Sequence, residues 1–161
     1  MTGQLVRWKP VNNGITNQNE GWRLHAAFPV AACIAALVGL ADSAYLTAQH
    51  YSGSEVPCSI ISGCELVLTS TYAEIFGIPT ALYGALAYFA AFSLSLLVFY
   101  GYKYLWGLFG LLTIGMFAFT VWLLYLQAFV IQAFCQFCLL SALTSTILFV
   151  IFLSSRLFSR S

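Results

Sequence analysis

Two pairs of cysteines carry the chemistry that this sequence suggests. Cys135 and Cys138 form a C-x-x-C set, and Cys58 and Cys64 form a C-x5-C set in a polar stretch earlier in the chain. A C-x-x-C dithiol can close a small disulfide ring, and at a helix N-terminus the free amides and the dipole favour its first sulfur as thiolate. The chemistry implied is thiol–disulfide exchange, with one pair able to pass its oxidation state to the other. Two bland readings stand beside it. Four thiolates could hold zinc, and four cysteines could pack a helix bundle as small hydrophobes. Cys33 stands apart from both pairs and reads as core.

The elements that must position these sulfurs are membrane spans. Of the 161 residues 61% are hydrophobic and 7% charged, against about 25% charged in soluble domains. The chain is an integral membrane protein on composition alone. Its net charge of +1 and lack of a basic tract give no sign of a nucleic-acid partner. The first apolar run follows a polar, Asn- and Gly-bearing stretch and has no small-residue cleavage site, so it reads as a span and not as a removable signal peptide.

The expected fold is all-α: a bundle of four transmembrane helices with an extracytoplasmic loop between the first and second. Residues 1–25 read as a cytoplasmic tail, 26–155 as the membrane domain and 156–161 as a second cytoplasmic tail. Within the domain, residues 26–48 are the first span and 49–78 the loop, in which 66–76 offer one apolar side suited to a short interfacial helix. Pro79 is expected in the first turn of the second span, where its missing amide is harmless. Residues 104–154 carry no charge; as one helix they would be about 75 Å long against a hydrocarbon core of about 30 Å. They must be two helices, and the polar cluster of Gln127, Gln132 and Gln136 places the turn near 129–133. Ala81, Ala85, Gly107 and Gly110 are small enough for close helix contact.

Lys and Arg orient the spans, because they concentrate on the cytoplasmic side. Arg7, Lys9, Arg23, Lys103, Arg156 and Arg160 all fall on one side, which makes both termini cytoplasmic. The same parity puts all four paired cysteines on the opposite, oxidising face. There disulfides are favoured over thiolate metal sites, so no metal is expected.

In this order and on these spans, Cys58-x5-Cys64, Ser70, Gly77-Ile78-Pro79 with Gly84, and Cys135-x2-Cys138 resemble the vitamin K epoxide reductase family, and most closely its bacterial branch. The resemblance covers residues 37–149. It implies a four-helix bundle holding a quinone, ubiquinone or menaquinone, beside the C-x-x-C. It also implies a relay in which Cys138 faces the quinone, Cys64 attacks Cys135, and Cys58 is the shuttle partner that receives electrons from outside. Ser70 matches a hydroxyl position tied to activity. The match departs at Ala142, where the animal enzymes carry a tyrosine that contacts the vitamin. The membrane implied is the bacterial inner membrane. Few residues follow the fourth span, so the electron donor is expected to be a separate thioredoxin-like oxidase of the DsbA type, or secreted protein thiols. Such an oxidase sits near about −120 mV, so only an acceptor of comparable or higher potential, such as a respiratory quinone, can reoxidise it.

Three further side chains are candidates for the substrate site. Asp42 is an ionisable group inside the first span, where it is costly and is a functional candidate by default; the plain alternative is a hydrogen-bonded packing role. Phe134 and Phe137 flank the dithiol closely enough to line a quinone pocket. His25 and His50, at the two ends of the first span, read as interfacial. The competing function is a non-catalytic membrane assembly or metal-handling protein whose disulfides are structural.

The charge count generates a direct test of orientation. A membrane-impermeant thiol reagent added to intact cells should label Cys58 after reduction and should not label a Lys103→Cys variant. Labelling of the variant without Cys58 would invert the topology and remove the oxidising-face argument.

Overall fold

The computed structural model describes residues 13–53, 64–68, 70 and 73–158. Its main elements are α1 (Asn13–Ser52), α2 (Cys64–Leu68), a two-strand hairpin of β1 (Glu74–Ile75) and β2 (Ile78–Pro79), α3 (Thr80–Phe99), α4 (Leu105–Tyr125) running into a π-helical turn (Leu126–Ile131), and α5 (Gln136–Phe158). Four segments are long and apolar enough to cross a membrane: Ala27–Ser52, Thr80–Phe99, Leu105–Ile131 and Gln136–Phe158.

The span of α1 begins where the apolar run does, but the helix itself reaches back to Asn13. The stretch 13–25, expected as tail, is therefore helical. Once a span has supplied a helical nucleus, each added residue gains a hydrogen bond at little further cost, and the first proline of the helix lies beyond this stretch, at Pro29.

The loop departs from expectation more sharply. The interfacial helix expected over 66–76 ends at Leu68, and Glu74 and Ile75 belong to a strand. Ile75 pairs with Ile78 and Glu74 with Pro79, in antiparallel register. The two residues between the strands, Phe76 and Gly77, have φ of 57° and 76°. Paired positive φ values make the tight hairpin turn whose twist matches the strands, and glycine reaches that region without strain. Turn chemistry at Gly77 thus overrides the helical spacing of Leu68, Tyr72 and Ile75. Pro79 closes the hairpin and caps α3 in an extended conformation, one place before the first turn in which it was expected.

α1 packs on α3 and α5, and α4 packs on the same two helices. The core comprises Ala32, Ala36, Tyr88, Ala91, Phe109 and Leu148. Association inside lipid relies on close packing, for which small residues make room. At Gly39 an added Cβ would overlap the Tyr88 ring, and at Gly110 it would overlap the Phe152 ring; at Gly107 it would meet nothing. The close contact expected of Gly107 and Gly110 therefore belongs to Gly110 alone. Cys33 is half-buried, its sulfur 3.1 Å from Ser95 Oγ. Large apolar side chains such as Ile34, Leu86, Leu111 and Leu143 face outward, as a lipid-facing surface allows.

These packing differences predict different outcomes for chemically identical changes. Gly39→Ala should destabilise the bundle by about 1–3 kcal/mol through overpacking, because the Tyr88 ring is held by hydrogen bonds and cannot give way. Gly107→Ala should be neutral or stabilising by up to about 1 kcal/mol, the helix preference for alanine. Thermal unfolding in detergent, followed by circular dichroism, checks both.

Candidate functional site

The site is built where the third span ends and the fourth begins. The π-helical turn carries the third span to Ile131, and Gln132 then stops it in a left-handed conformation, with φ 54° and ψ 32°. The turn expected at 129–133 lies at 132–135 instead, because the wider turn prolongs the helix. Gln127 holds this corner together. Its carbonyl accepts from the amides of Gln132 and Ala133, and its side-chain Oε1 accepts from the Cys135 amide at 3.3 Å. The side chain is buried, so an unbonded Cys135 amide beside it would be costly.

Cys135 in turn caps α5. Its carbonyl accepts from Leu139 N–H at 3.0 Å, and its Sγ accepts from Cys138 N–H at 3.5 Å. This is the N-cap pattern, with sulfur in the place usually taken by a hydroxyl or carboxylate oxygen. The Cys135 thiol is lowered to about 7, first by its hydrogen bond with the Cys138 side chain and then by the amides of Cys138 and Phe137, against burial, which opposes the charge. A sulfur at a helix N-terminus is where a stabilised thiolate is expected.

The two cysteines of the C-x-x-C face different surroundings. Cys135 is completely buried in a small apolar cluster with Cys64 and Val67, against which Leu68, Ile131, Ala133, Phe137 and Cys138 pack. Cys138 also reaches the wall of a cavity of about 640 Å³ enclosed by all four spans and the hairpin. A volume of this size is in the range of sites for drug-sized ligands. Cys64 is disulfide-bonded, whereas Cys135 and Cys138 are free thiols. Cys58 lies outside the described residues.

Asp42 and Ser70, both expected near a substrate, line this cavity. Ser70 Oγ donates to the Val67 carbonyl at 2.7 Å and so finishes α2. Phe134 and Phe137 are not on the cavity wall. Phe134 sits in the non-helical corner with its ring exposed, and Phe137 packs at a tilt against Tyr45 of α1, ring centroids 5.4 Å apart. Aromatic rings of the wall come from Phe76, Tyr83, Tyr88 and Phe119 instead. His50, near the C-terminal end of α1, lines the cavity and lies 3.4 Å from Glu74 of the hairpin, which ties the rim to the first span. Among the described residues no three His, Cys, Asp or Glu side chains gather as metal ligands would.

Sequence reasoning used Gln127 only to locate a turn and passed over Tyr88. The signal for Gln127 was available, since a strongly polar amide close to a dithiol in an apolar run needs a partner. Tyr88 gave none, because a tyrosine in an aromatic-rich span reads as lipid-facing or interfacial.

The model of the vitamin K epoxide reductase family matches residues 30–153 of the chain. The matched segment contains the apolar part of α1 after Val30, the loop, the hairpin and both cysteine pairs.

The hydrogen bonds at Cys135 predict a titration. In the reduced protein the S–H infrared band of Cys135, assigned by difference from Cys135→Ser, should disappear as the pH rises through about 7, the value to which its partners lower it. In Cys138→Ala the largest of those partners is gone, and the midpoint should move up toward the ordinary thiol value of about 8.5. A Cys135 band that persists to about pH 9 in the unaltered protein would contradict the capping argument.

Proposed function

Because the chain belongs to the vitamin K epoxide reductase family, a family of membrane oxidoreductases, we propose that it passes electrons from a thioredoxin-like partner through its two cysteine pairs to a quinone, in support of disulfide-bond formation. The observation that carries this reading is the division of the C-x-x-C between two environments. Cys135 is buried together with Cys64, and Cys138 reaches the cavity. The cavity residues fit a quinone: most of the wall is apolar, and Asp42 offers a carboxyl with no partner among the described residues. When bound there, a quinone supplies the electron sink, taking up two electrons and two protons.

The cysteines do the rest by exchange. A reduced dithiol partner attacks Cys58, forming a mixed disulfide and leaving Cys64 as a thiol, and the partner's second thiol then releases Cys58 and leaves the partner oxidised. Cys64 attacks Cys135 of the oxidised C-x-x-C, one S–S bond forms as another breaks, and Cys138 leaves as a thiolate at the cavity. Cys58 then attacks Cys64 and releases Cys135. A thiol lowered to about 7 is a good leaving group for that step. The result is a reduced dithiol beside the electron sink and a loop disulfide ready for the next partner. The positive-inside count supports placing both termini in the cytoplasm and the site at the extracytoplasmic face of a bacterial inner membrane.

The test is quinone reduction by the purified protein, with a reduced thioredoxin-like substrate as electron donor. Cys138→Ala should abolish turnover, and Cys33→Ala, altered at a half-buried position beside Ser95 and off the cavity wall, should leave it within about threefold, since a thiol outside the reactive setting is inert. In Cys58→Ser the resolving thiol is missing, so a Cys64–Cys135 disulfide should accumulate, read by non-reducing peptide mapping. Wild-type turnover in Cys138→Ala, or a free Cys64 in Cys58→Ser, would sink the relay.

A further inference from the structure

Among the described residues Asp42 is the one carboxyl inside the bundle, and the relay leaves it unused. It is 7% exposed, it lies on the cavity wall that Cys138 also lines, and neither carboxyl oxygen has a hydrogen-bond partner among the described residues. A buried carboxyl without a partner is costly in a membrane span and marks a functional position. Several hydroxyls of the same wall are bonded elsewhere. Tyr88 donates to the Ser141 carbonyl at 2.6 Å and lies 2.8 Å from Thr144 Oγ1. Ser145 Oγ is shared between the Ala142 carbonyl and Thr120, and Ser70 is bonded to Val67. Among the described residues no Lys or Arg stands on the wall, and its imidazole, His50, lies 3.4 Å from Glu74. A ligand in the cavity is placed to supply the partner that Asp42 does not find among these residues.

A quinone offers hydrogen-bond acceptors only, so a carboxyl meets it through its O–H. We propose that Asp42 hydrogen-bonds one ring oxygen of the quinone and hands that oxygen a proton as Cys135 and Cys138 close their disulfide. The inference rests on the reading of the cavity as a quinone site. The step balances: the two thiols give up two electrons and two protons and gain one S–S bond. Asp42 gives its proton to the adjacent ring oxygen and takes back one thiol proton. The other thiol proton goes to the second ring oxygen, so quinone and dithiol become quinol and disulfide.

Two variants separate holding from proton transfer. Asp42→Asn keeps a donor but has no proton to give, whereas Asp42→Leu keeps neither. Quinone binding to the wild type should lower the quinone carbonyl stretch in infrared difference spectra and perturb a carboxyl band that is absent from both variants. Asp42→Asn should bind quinone within about threefold of wild type, retain the lowered quinone carbonyl stretch, and turn over about a hundredfold more slowly, the lower range for loss of a general acid. Asp42→Leu should bind about tenfold more weakly, as expected for one lost hydrogen bond, and leave the quinone carbonyl stretch at its unbound frequency. Thiol–disulfide exchange between Cys64 and Cys135, measured without quinone, should be unchanged in both, which shows that they fold. If the wild type binds and reduces quinone but Asp42→Leu matches it in affinity, turnover and carbonyl stretch, the role of Asp42 is overturned and the relay stands. If the wild type neither binds nor reduces quinone, the reading of the cavity falls, and the role of Asp42 with it.

Discussion

A phenol buried among helices in lipid must find hydrogen bonds inside the protein, and the way Tyr88 does so arranges the rest of the bundle. Its ring lies flat against α1 where Gly39 leaves room, and its hydroxyl bonds to Ser141 and Thr144 of α5. One side chain of α3 therefore joins the first span to the fourth. Ser141 is the position next to Leu140 and one turn after Cys138, so the same bonds fix where the C-x-x-C helix stands relative to Asp42. In a membrane no solvent competes for these groups, and the alternative to this geometry is an unsatisfied hydroxyl. The cavity is the space left beside that joint.

The other end of the dithiol is fixed by backbone groups. The π-helical turn lets Gln127 point its carboxamide at the corner, the corner amide belongs to Cys135, and the sulfur of Cys135 caps the next helix. Each link satisfies a polar group that would otherwise be orphaned at the end of a span. The result is that two sulfurs only three positions apart have unlike neighbours: an apolar cluster shared with Cys64 on one side, a ligand-sized cavity on the other. A relay that moves electrons from protein thiols to a lipid-soluble acceptor needs that asymmetry.

The fold was largely legible because the hydrocarbon thickness leaves few choices for apolar runs without charges. Lengths and the position of Lys103 divide the chain into four spans, and the Gln cluster marks the last corner to within a few residues. The hairpin was not legible, since Leu68, Tyr72 and Ile75 have helical spacing and the decisive feature, two successive left-handed residues at Phe76 and Gly77, is a local turn preference. The site was legible as sulfur chemistry and as one carboxyl, Asp42. Its walls were not, because they depend on packing between distant segments: proximity in sequence suggested Phe134 and Phe137, whereas the cavity takes its rings from the hairpin, α3 and α4. Tyr88 shows the same limit, since nothing in its local sequence tells that Gly39 makes room for it.

The burial of Cys135 has a consequence for the durability of the protein. Conversion of cysteine to sulfenic acid and onward to irreversible sulfinic and sulfonic acids follows thiolate character and exposure together. Cys135 has the first, with a thiol lowered to about 7, and lacks the second, with no accessible surface at all. Peroxide in the surrounding compartment therefore meets no open face of this sulfur, even when it carries a charge. The cluster of Cys64, Val67 and Ile131 that surrounds it acts as chemical armour, and the sulfur that caps α5 is spared from small oxidants by the same packing that brings Cys64 to it.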